Sequence, residues 1–524
     1  MMSQYRISRR NALTLGGSAA LAGGFTRGAR AEGGNRFVTA NNSGYDTLDP
    51  HTVFDIGRIG SRLNMYDCLV RWVDNPPKLQ MWLADKIDIA PDGVTYTVAI
   101  KQDAKFHDGS PITADDVVFS MERILAMKQG AYGLFKGVVD PGETKALDAH
   151  TVQFTLNQPF AVFTSILSEL WIVNSKLLRA NDKSGDMGAA WLVRNEAGSG
   201  GFRLRRYDPA IGFQADRFPD HFAGFGKSNI TTMEFRVVLE TASRALGLQK
   251  GEFNTTDGYL PQDQIKRLRH VDSVQILEAE SLRTMYFIMH NQRAPLNDVN
   301  LRKALCYAFD YDGFINNILS GSVARNAGII PSTLWGAPKD LKGYSYDLAK
   351  AKEHLAMMKA PMRPLEIGVL AGFDQSEAAA QLMQAGAAKI GIDIKLNTEP
   401  WPVISGKFGD PDKQHDLVPL WRSAYFADPH NWTGFMYNSR NIGAGNASFY
   451  KNEKFDELTD KALVLTEQEQ RRPLYEEASR ILVEDAAGLF IYNTKWFGPF
   501  TKNVRDVRFC PIGDAQDIRW MSMA

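Results

Sequence analysis

The sequence predicts an α/β protein of two or more domains. Three observations predict it. The chain has 524 residues, and a single core stops growing beyond roughly 250–300 residues. Strand-type and helix-type apolar periods alternate along it. No internal repeat and no long Pro- or Ser-rich linker interrupts them, a pattern that favours hinge motion over free tumbling. With 44% hydrophobic and 23% charged residues the chain is globular in composition. Lys+Arg and Asp+Glu are both 60, so there is no basic excess of the kind a nucleic-acid partner requires.

The first thirty-odd residues read as an export signal rather than fold. Arg6, Arg9 and Arg10 precede a Gly/Ala-rich stretch, Asn11 to Thr26, and the exit is Ala29-Arg30-Ala31. Ser8-Arg9-Arg10 resembles a twin-arginine (Tat) signal, with Ala12 where Phe is usual; an ordinary secretory signal holding an Arg pair is the competing reading. Residues 1–31 are therefore expected to be removed after Ala31. Gly24 stands where a lipoprotein would carry its Cys, so a soluble, untethered periplasmic protein is expected. No other uncharged apolar run approaches the length of a membrane span. Cys68, Cys306 and Cys510 allow one disulfide at most, and buried thiols are an equally good reading.

The elements follow in order. Val94 to Ile100 alternates with period two, a half-buried strand. Thr113-Ala-Asp-Asp116 is a capping-box variant before a helix carrying Val117, Val118, Met121, Ile124 and Leu125. Asp148 to Leu156 gives a turn and a strand, and Met233 to Leu239 a strand leading to a helix at 243–250. The unbroken apolar run Thr284 to Met289 predicts a buried strand. Helices are predicted at 298–309, 347–358, 376–390, 452–465 and 473–485. Gly391 is placed as a C-cap before the strand Ile392 to Leu396.

Catalytic motifs are missing. Phe225-Gly226-Lys227-Ser228 has only the tail of a phosphate loop, because His221 occupies its first Gly position. Gly198-Ser199-Gly200-Gly201 lacks the serine-nucleophile elbow, since Ala197 stands at the first position, and reads as a tight turn. No two of the nine histidines are three or four residues apart, so no helical metal pair is expected, and no cofactor. Asp115-Asp116 lies at a helix start, where the dipole accounts for it. The pattern points to binding rather than catalysis. Trp401, Trp421, Tyr425, Phe426, Trp432, Phe435 and Tyr437 crowd into forty residues with Arg422 and loop signals, a composition suited to clasping an organic ligand; core packing is the alternative for each ring.

Several segments together resemble the extracellular solute-binding proteins of family 5, which serve peptide and nickel ABC importers. They are Thr47-Leu48-Asp49-Pro50-His51, Met65 to Val70, Pro91-Asp92-Gly93, and above all Lys105-Phe106-His107-Asp108-Gly109-Ser110-Pro111-Ile112-Thr113-Ala114-Asp115-Asp116-Val117. Gly198 to Phe202, Leu296 to Leu305, Ile390 to Ile394, Asp428-Pro429 and Phe455 to Leu458 continue the order. The resemblance implies a bilobal periplasmic-binding-protein clamshell with an extra subdomain. Lobe I would comprise 32–75, 195–286 and 497–524, the accessory subdomain 76–194, and lobe II 287–496. Thr284 to Met289 and Leu489 to Tyr492 would be the hinge crossings.

It further implies a monomeric capture protein, not an enzyme, that closes on a peptide or small organic solute and hands it to a membrane permease. Peptide-binding members carry an Asp four residues before the loop Pro; here Tyr425 stands there, which weakens the case for ordinary peptides. Opines, sugars, polyamines or metal chelates are the alternative solutes, and a secreted hydrolase the competing class. On this reading Arg422 pairs with a ligand carboxylate, and Trp401, Trp421 and Tyr425 stack on the ligand. Asp428 and Asn431 complete the loop, Asp428 also being a turn residue, and Tyr45 faces them from the opposite lobe.

Overall fold

A mixed sheet of eleven strands runs through the whole molecule in the computed structural model. The structure describes residues 35–524, apart from 43, 55–58, 444 and 514–515, so the expected export signal lies outside it. The strand order is Phe202–Asp208, Gly212–Arg217, Ile230–Val237, Asn35–Asn41, Thr255–Thr256, Gly488–Thr501, Val274–Met289, Leu417–Arg422, Leu365–Leu370, Ile394–Glu399, with Ala324–Arg325 added to Gly488–Thr501. Two strands are far longer than the rest: Val274–Met289 and Gly488–Thr501 pair antiparallel along most of their length. They continue from one half of the sheet into the other and include both expected crossings.

The apolar run is buried on both faces. Met285, Phe287 and Met289 join one core cluster with Leu301, Leu305 and Ile367, whereas Tyr286 and Ile288 join another with Tyr437, Tyr475 and Leu482. Layers of helices on both sides of the sheet explain why the run does not alternate with polar residues. Where the strands leave this region their register breaks. Glu280 pairs with Lys495 and Thr284 with Asn493, so Ser281, Leu282 and Arg283 oppose only Thr494. A bulge bends and twists a strand locally.

Residues 84–156 form a separate four-stranded antiparallel sheet, Ala84–Ile89, Thr95–Ile100, Thr151–Leu156, Val139–Asp148, covered by the helix Ala114–Met127. Thr95–Ile100 and Thr151–Leu156 alternate partly and fully buried residues, as expected from their periods. The capping box forms: Asp116 Oδ2 accepts from Thr113 N–H and Oγ1, both at 2.8 Å. The hairpin Val70–Val73 with Lys78–Met81 straddles residue 75, so chain on both sides of that point pairs in one ribbon.

Buried ion pairs dock this subdomain on the rest. Arg123, in its helix, donates to both carboxylate oxygens of Asp49 at 2.8 and 2.6 Å. His107 contacts Glu196 at 2.8 Å and the Gly200 carbonyl at 2.8 Å. The Gly198–Gly201 segment is a site of close approach rather than a left-handed turn. A Cβ on Gly198 would lie 1.9 Å from the Met65 carbonyl oxygen, and one on Gly200 2.6 Å from that of Asn64.

Helices appear where predicted within a few residues: Val299–Ala308, Leu348–Met357, Asp374–Ala388 and Glu453–Val464. Gly391 adopts φ +83° before the strand Ile394–Glu399. One expectation is corrected. The helix expected to begin at Pro473 runs Gln468–Glu484, with Pro473 inside it. The strong helix formers Gln468 to Arg472 start it a turn earlier, which offsets the hydrogen bond that Pro473 cannot donate. Cys68 and Cys306 are free thiols, and burial pushes both up to about 12.

Candidate functional site in the seam between lobes

Strand direction marks one stretch of the sheet as the candidate site. Asn35–Asn41, Ile230–Val237 and Thr255–Thr256 are parallel to one another, and the last is antiparallel to Gly488–Thr501. On the other side Leu417–Arg422 is parallel to Leu365–Leu370 and antiparallel to Val274–Met289. The carboxyl ends of both parallel sets therefore point at the stretch where the long strands cross. Ligands bind outside the carboxyl ends of such strands. Here two sets of ends face each other across the bulge.

From one side the seam is lined by Asn41, Thr256, Asp257, Tyr259, Arg283 and Trp496, around a recess of about 90 Å³. Trp421, at the end of Leu417–Arg422, meets this wall. Its ring lies 5.7 Å from Tyr259 and 6.1 Å from Phe373, and the Arg283 guanidinium sits 5.7 Å from it. Its indole N–H donates to the Tyr492 hydroxyl at 3.1 Å, which donates to Gln375 Oε1 at 2.7 Å. The indole is thus held in one orientation with a face towards the seam.

Arg422 follows. Its register partner is Thr284. Nε and Nη2 donate to the Asn431 carbonyl at 3.3 and 3.1 Å. The guanidinium lies over Tyr425 and Phe435, 5.2 and 5.1 Å from their centroids. Among the described residues no carboxylate is within 4 Å of it. Burial pushes its pKa down, and the neighbouring titratable groups are the hydroxyls of Tyr425, Tyr286 and Tyr437. Four further polar atoms near the crossing, Thr256 Oγ1, Thr284 Oγ1, Asn493 Oδ1 and Thr494 Oγ1, are buried without a hydrogen-bond partner among the described residues. Unpaired buried polar atoms are rare in folded proteins and mark places where a ligand or water completes the set.

The remaining sequence-predicted residues divide. Tyr425 stands at the seam, stacked on Phe54 at 3.8 Å with its hydroxyl 3.3 Å from the Phe54 carbonyl. Asn431 is the staple of the loop: Oδ1 accepts from Tyr425 N–H, and Nδ2 donates to the Ser423 carbonyl. Asp428 accepts both Arg471 nitrogens, at 2.7 and 2.9 Å, and the His430 N–H at 2.9 Å. Burial raises its pKa, and Arg471 opposes that rise. Tyr45 is buried edge-on to Phe213 at 5.3 Å, just past the carboxyl end of Asn35–Asn41. Trp401 packs on Phe408 at 5.9 Å. Arg283, Tyr259, Thr284, Tyr492 and Asn493 are seam residues that pattern reading missed. The one sequence signal was the polar break on the crossing strands, Ser281 to Thr284 against Asn493 to Lys495.

Residues 78–444 match the family model described as bacterial extracellular solute-binding proteins, family 5 middle. The chain belongs to the bacterial extracellular solute-binding proteins, family 5. This solute-binding protein is 32% identical over 478 residues to the probable D,D-dipeptide-binding periplasmic protein DdpA of Escherichia coli (strain K12), covering 89% of this chain and 90% of that one. It is 28% identical over 486 residues to the dipeptide-binding protein of the same strain, covering 86% and 88%. Its fold is that of the ABC transporter-associated periplasmic binding protein DppA from Helicobacter pylori, solved with the peptide STSA. The TM-score is 0.85 at 24% identity, over 94% of this chain and 98% of that one. The architecture of this solute-binding protein is therefore the bilobal clamshell with an accessory subdomain. No helix among the described residues is long and apolar enough to cross a membrane.

Proposed function

We propose that this solute-binding protein is the periplasmic capture component of an ABC importer and that it takes peptides or peptide-like solutes. Its export by a twin-arginine signal cleaved after Ala31, its action as an untethered monomer, and delivery to a membrane permease belong to the same reading. Lobe I (32–75, 195–286, 497–524) and lobe II (287–496) are the jaws, and 76–194 is the accessory subdomain. The bulge at Ser281 to Arg283 is the hinge.

The observation that carries the reading is the seam itself. Two sets of strand carboxyl ends converge on a ring, a guanidinium and unsatisfied polar atoms, supplied from both jaws. A solute seated there touches both lobes only when they are closed, so it favours the closed state. Reversing a 1:99 bias needs roughly 5.5 kcal/mol of differential affinity. Arg422, Trp421 and Tyr425 supply it on one side and Tyr45 shapes the wall opposite. Asp428 and Asn431 hold the loop that presents Arg422, and Trp401 flanks lobe II. Relatives named as dipeptide-binding proteins at 32% and 28% identity support peptide-like solutes. No step of this function needs bond cleavage.

The test is calorimetric titration with a panel of di- and tripeptides, free and N-acetylated, followed by chromatography of the bound probe. Saturable binding of at least one class with the probe recovered whole is expected. Steady release of cleaved products would instead make the protein a hydrolase, and no binding across the panel would overturn the peptide reading.

A further inference from the structure

The charges of the seam do not balance, and the imbalance bears on the solute. Two buried acids near it, Asp257 and Asp428, are each already matched by a cation of the protein. Asp257 accepts the N–H groups of Asn42 and Tyr259 at 2.8 and 3.0 Å, and the Arg244 guanidinium lies 3.4 Å away. Asp428, in the loop beside Arg422, is taken by both nitrogens of Arg471. Arg422 differs. It donates to a backbone carbonyl and lies over two rings, and the other titratable groups around it are the neutral His430 and tyrosine hydroxyls, of which Tyr437 is buried without a partner among the described residues.

A guanidinium taken out of water without a counter-ion is costly unless an anion joins it. The same guanidinium repels a second cation in a region of low dielectric. A solute carboxylate completes Arg422 bidentately. A solute ammonium beside Arg422 would find the neutral acceptors Thr284 Oγ1 and Asn493 Oδ1 while facing Arg422 across the Thr284 register pair, the Asp257 carboxylate in the recess being already held by Arg244 and two backbone N–H groups. Amide N–H and C=O groups, by contrast, satisfy those same neutral atoms at no charge cost.

Resting on the solute-capture reading above, we infer that the solute is an organic acid whose carboxylate pairs with Arg422 and which carries no free ammonium beside it. A peptide-like acid with its amino group acylated or cyclised has this chemistry. Arg422 is then the residue that sorts solutes by charge.

The test compares four probes on the full mature chain by calorimetry: Ala-Ala, N-acetyl-Ala-Ala, Ala-Ala-amide and N-acetyl-Ala-Ala-amide, each in both chiralities. N-acetyl-Ala-Ala is expected to bind at least tenfold tighter than the other three, and Arg422→Gln to erase that preference. Tighter binding of unblocked Ala-Ala, or of either amide, overturns the inference and leaves the peptide reading standing. Silence from all four overturns the inference, and the wider di- and tripeptide panel then decides the peptide reading. The comparison among probes is made on the unaltered protein, so it holds even if Arg422→Gln fails to fold.

Discussion

His51 sits where only its neutral ring is comfortable. Nε2 contacts the Trp171 carbonyl at 2.7 Å, and Nδ1 lies 3.1 Å from Arg123, which is bound to Asp49. Burial first, and the Arg123 charge second, lower its pKa to about 4. Burial and Arg471 lower that of His430 to about 3. An unfolded histidine titrates near 6.5, so below that pH the unfolded chain binds protons that the folded one refuses. Stability is then lost as pH falls from 6.5 towards 4. The loss for His51 alone is about 3 kcal/mol at 1.36 kcal/mol per pH unit. His107 works in the opposite sense: Glu196 outweighs burial and raises its pKa. Urea unfolding at pH 7.5 and pH 4.5 is expected to show the loss, and His51→Gln to reduce it by the His51 share, His430 keeping its own. An equal slope in that variant would remove His51 from the account. The Leu48-Asp49-Pro50 block was legible as a family signature, yet its partner Arg123 was not, because spacing along the chain says nothing about a pairing 74 residues away.

At the level of elements, one helix and one loop depend on each other. Gln468–Glu484 starts a turn before Pro473, and that extra turn places Arg471 against Asp428. The pair is buried, so removing one partner strands the other charge. Arg471→Met is expected to cost about 3–5 kcal/mol of folding stability. Adding Asp428→Asn should return much of it, because the uncompensated charge disappears. No recovery in the double variant would mean that Arg471 acts through packing on Trp335 and Tyr475 rather than through its charge. Helix and strand positions were readable here, since apolar periods of 3.6 and 2 declare the buried face directly. The early start was not, because Pro is most at home in a helix's first turn and drew the expected boundary to itself. In the sequence the Gly198–Gly201 segment reads as a turn. Its glycines serve close approach to Asn64 and Met65, which only the packed molecule reveals.

On the scale of the molecule, one sheet is shared by the two lobes. The strands Val274–Met289 and Gly488–Thr501 carry the connection, and the bulge opposite Thr494 is the hinge proposed above. The apolar halves of these strands were legible as crossings. Of the candidate seam only half was legible: aromatic density marks the Trp421–Tyr425 loop, whereas Arg283, Tyr259 and Thr284 come to it from the facing lobe through topology. In the proposed mechanism, closure makes these groups one site. The most direct test is small-angle scattering of the mature protein before and after adding back the solute extracted from it, with mass spectrometry of that solute on release. A smaller radius of gyration with solute bound, and a solute of unchanged mass, is the predicted result. Superimposable scattering curves, or a solute returned in pieces, would contradict it.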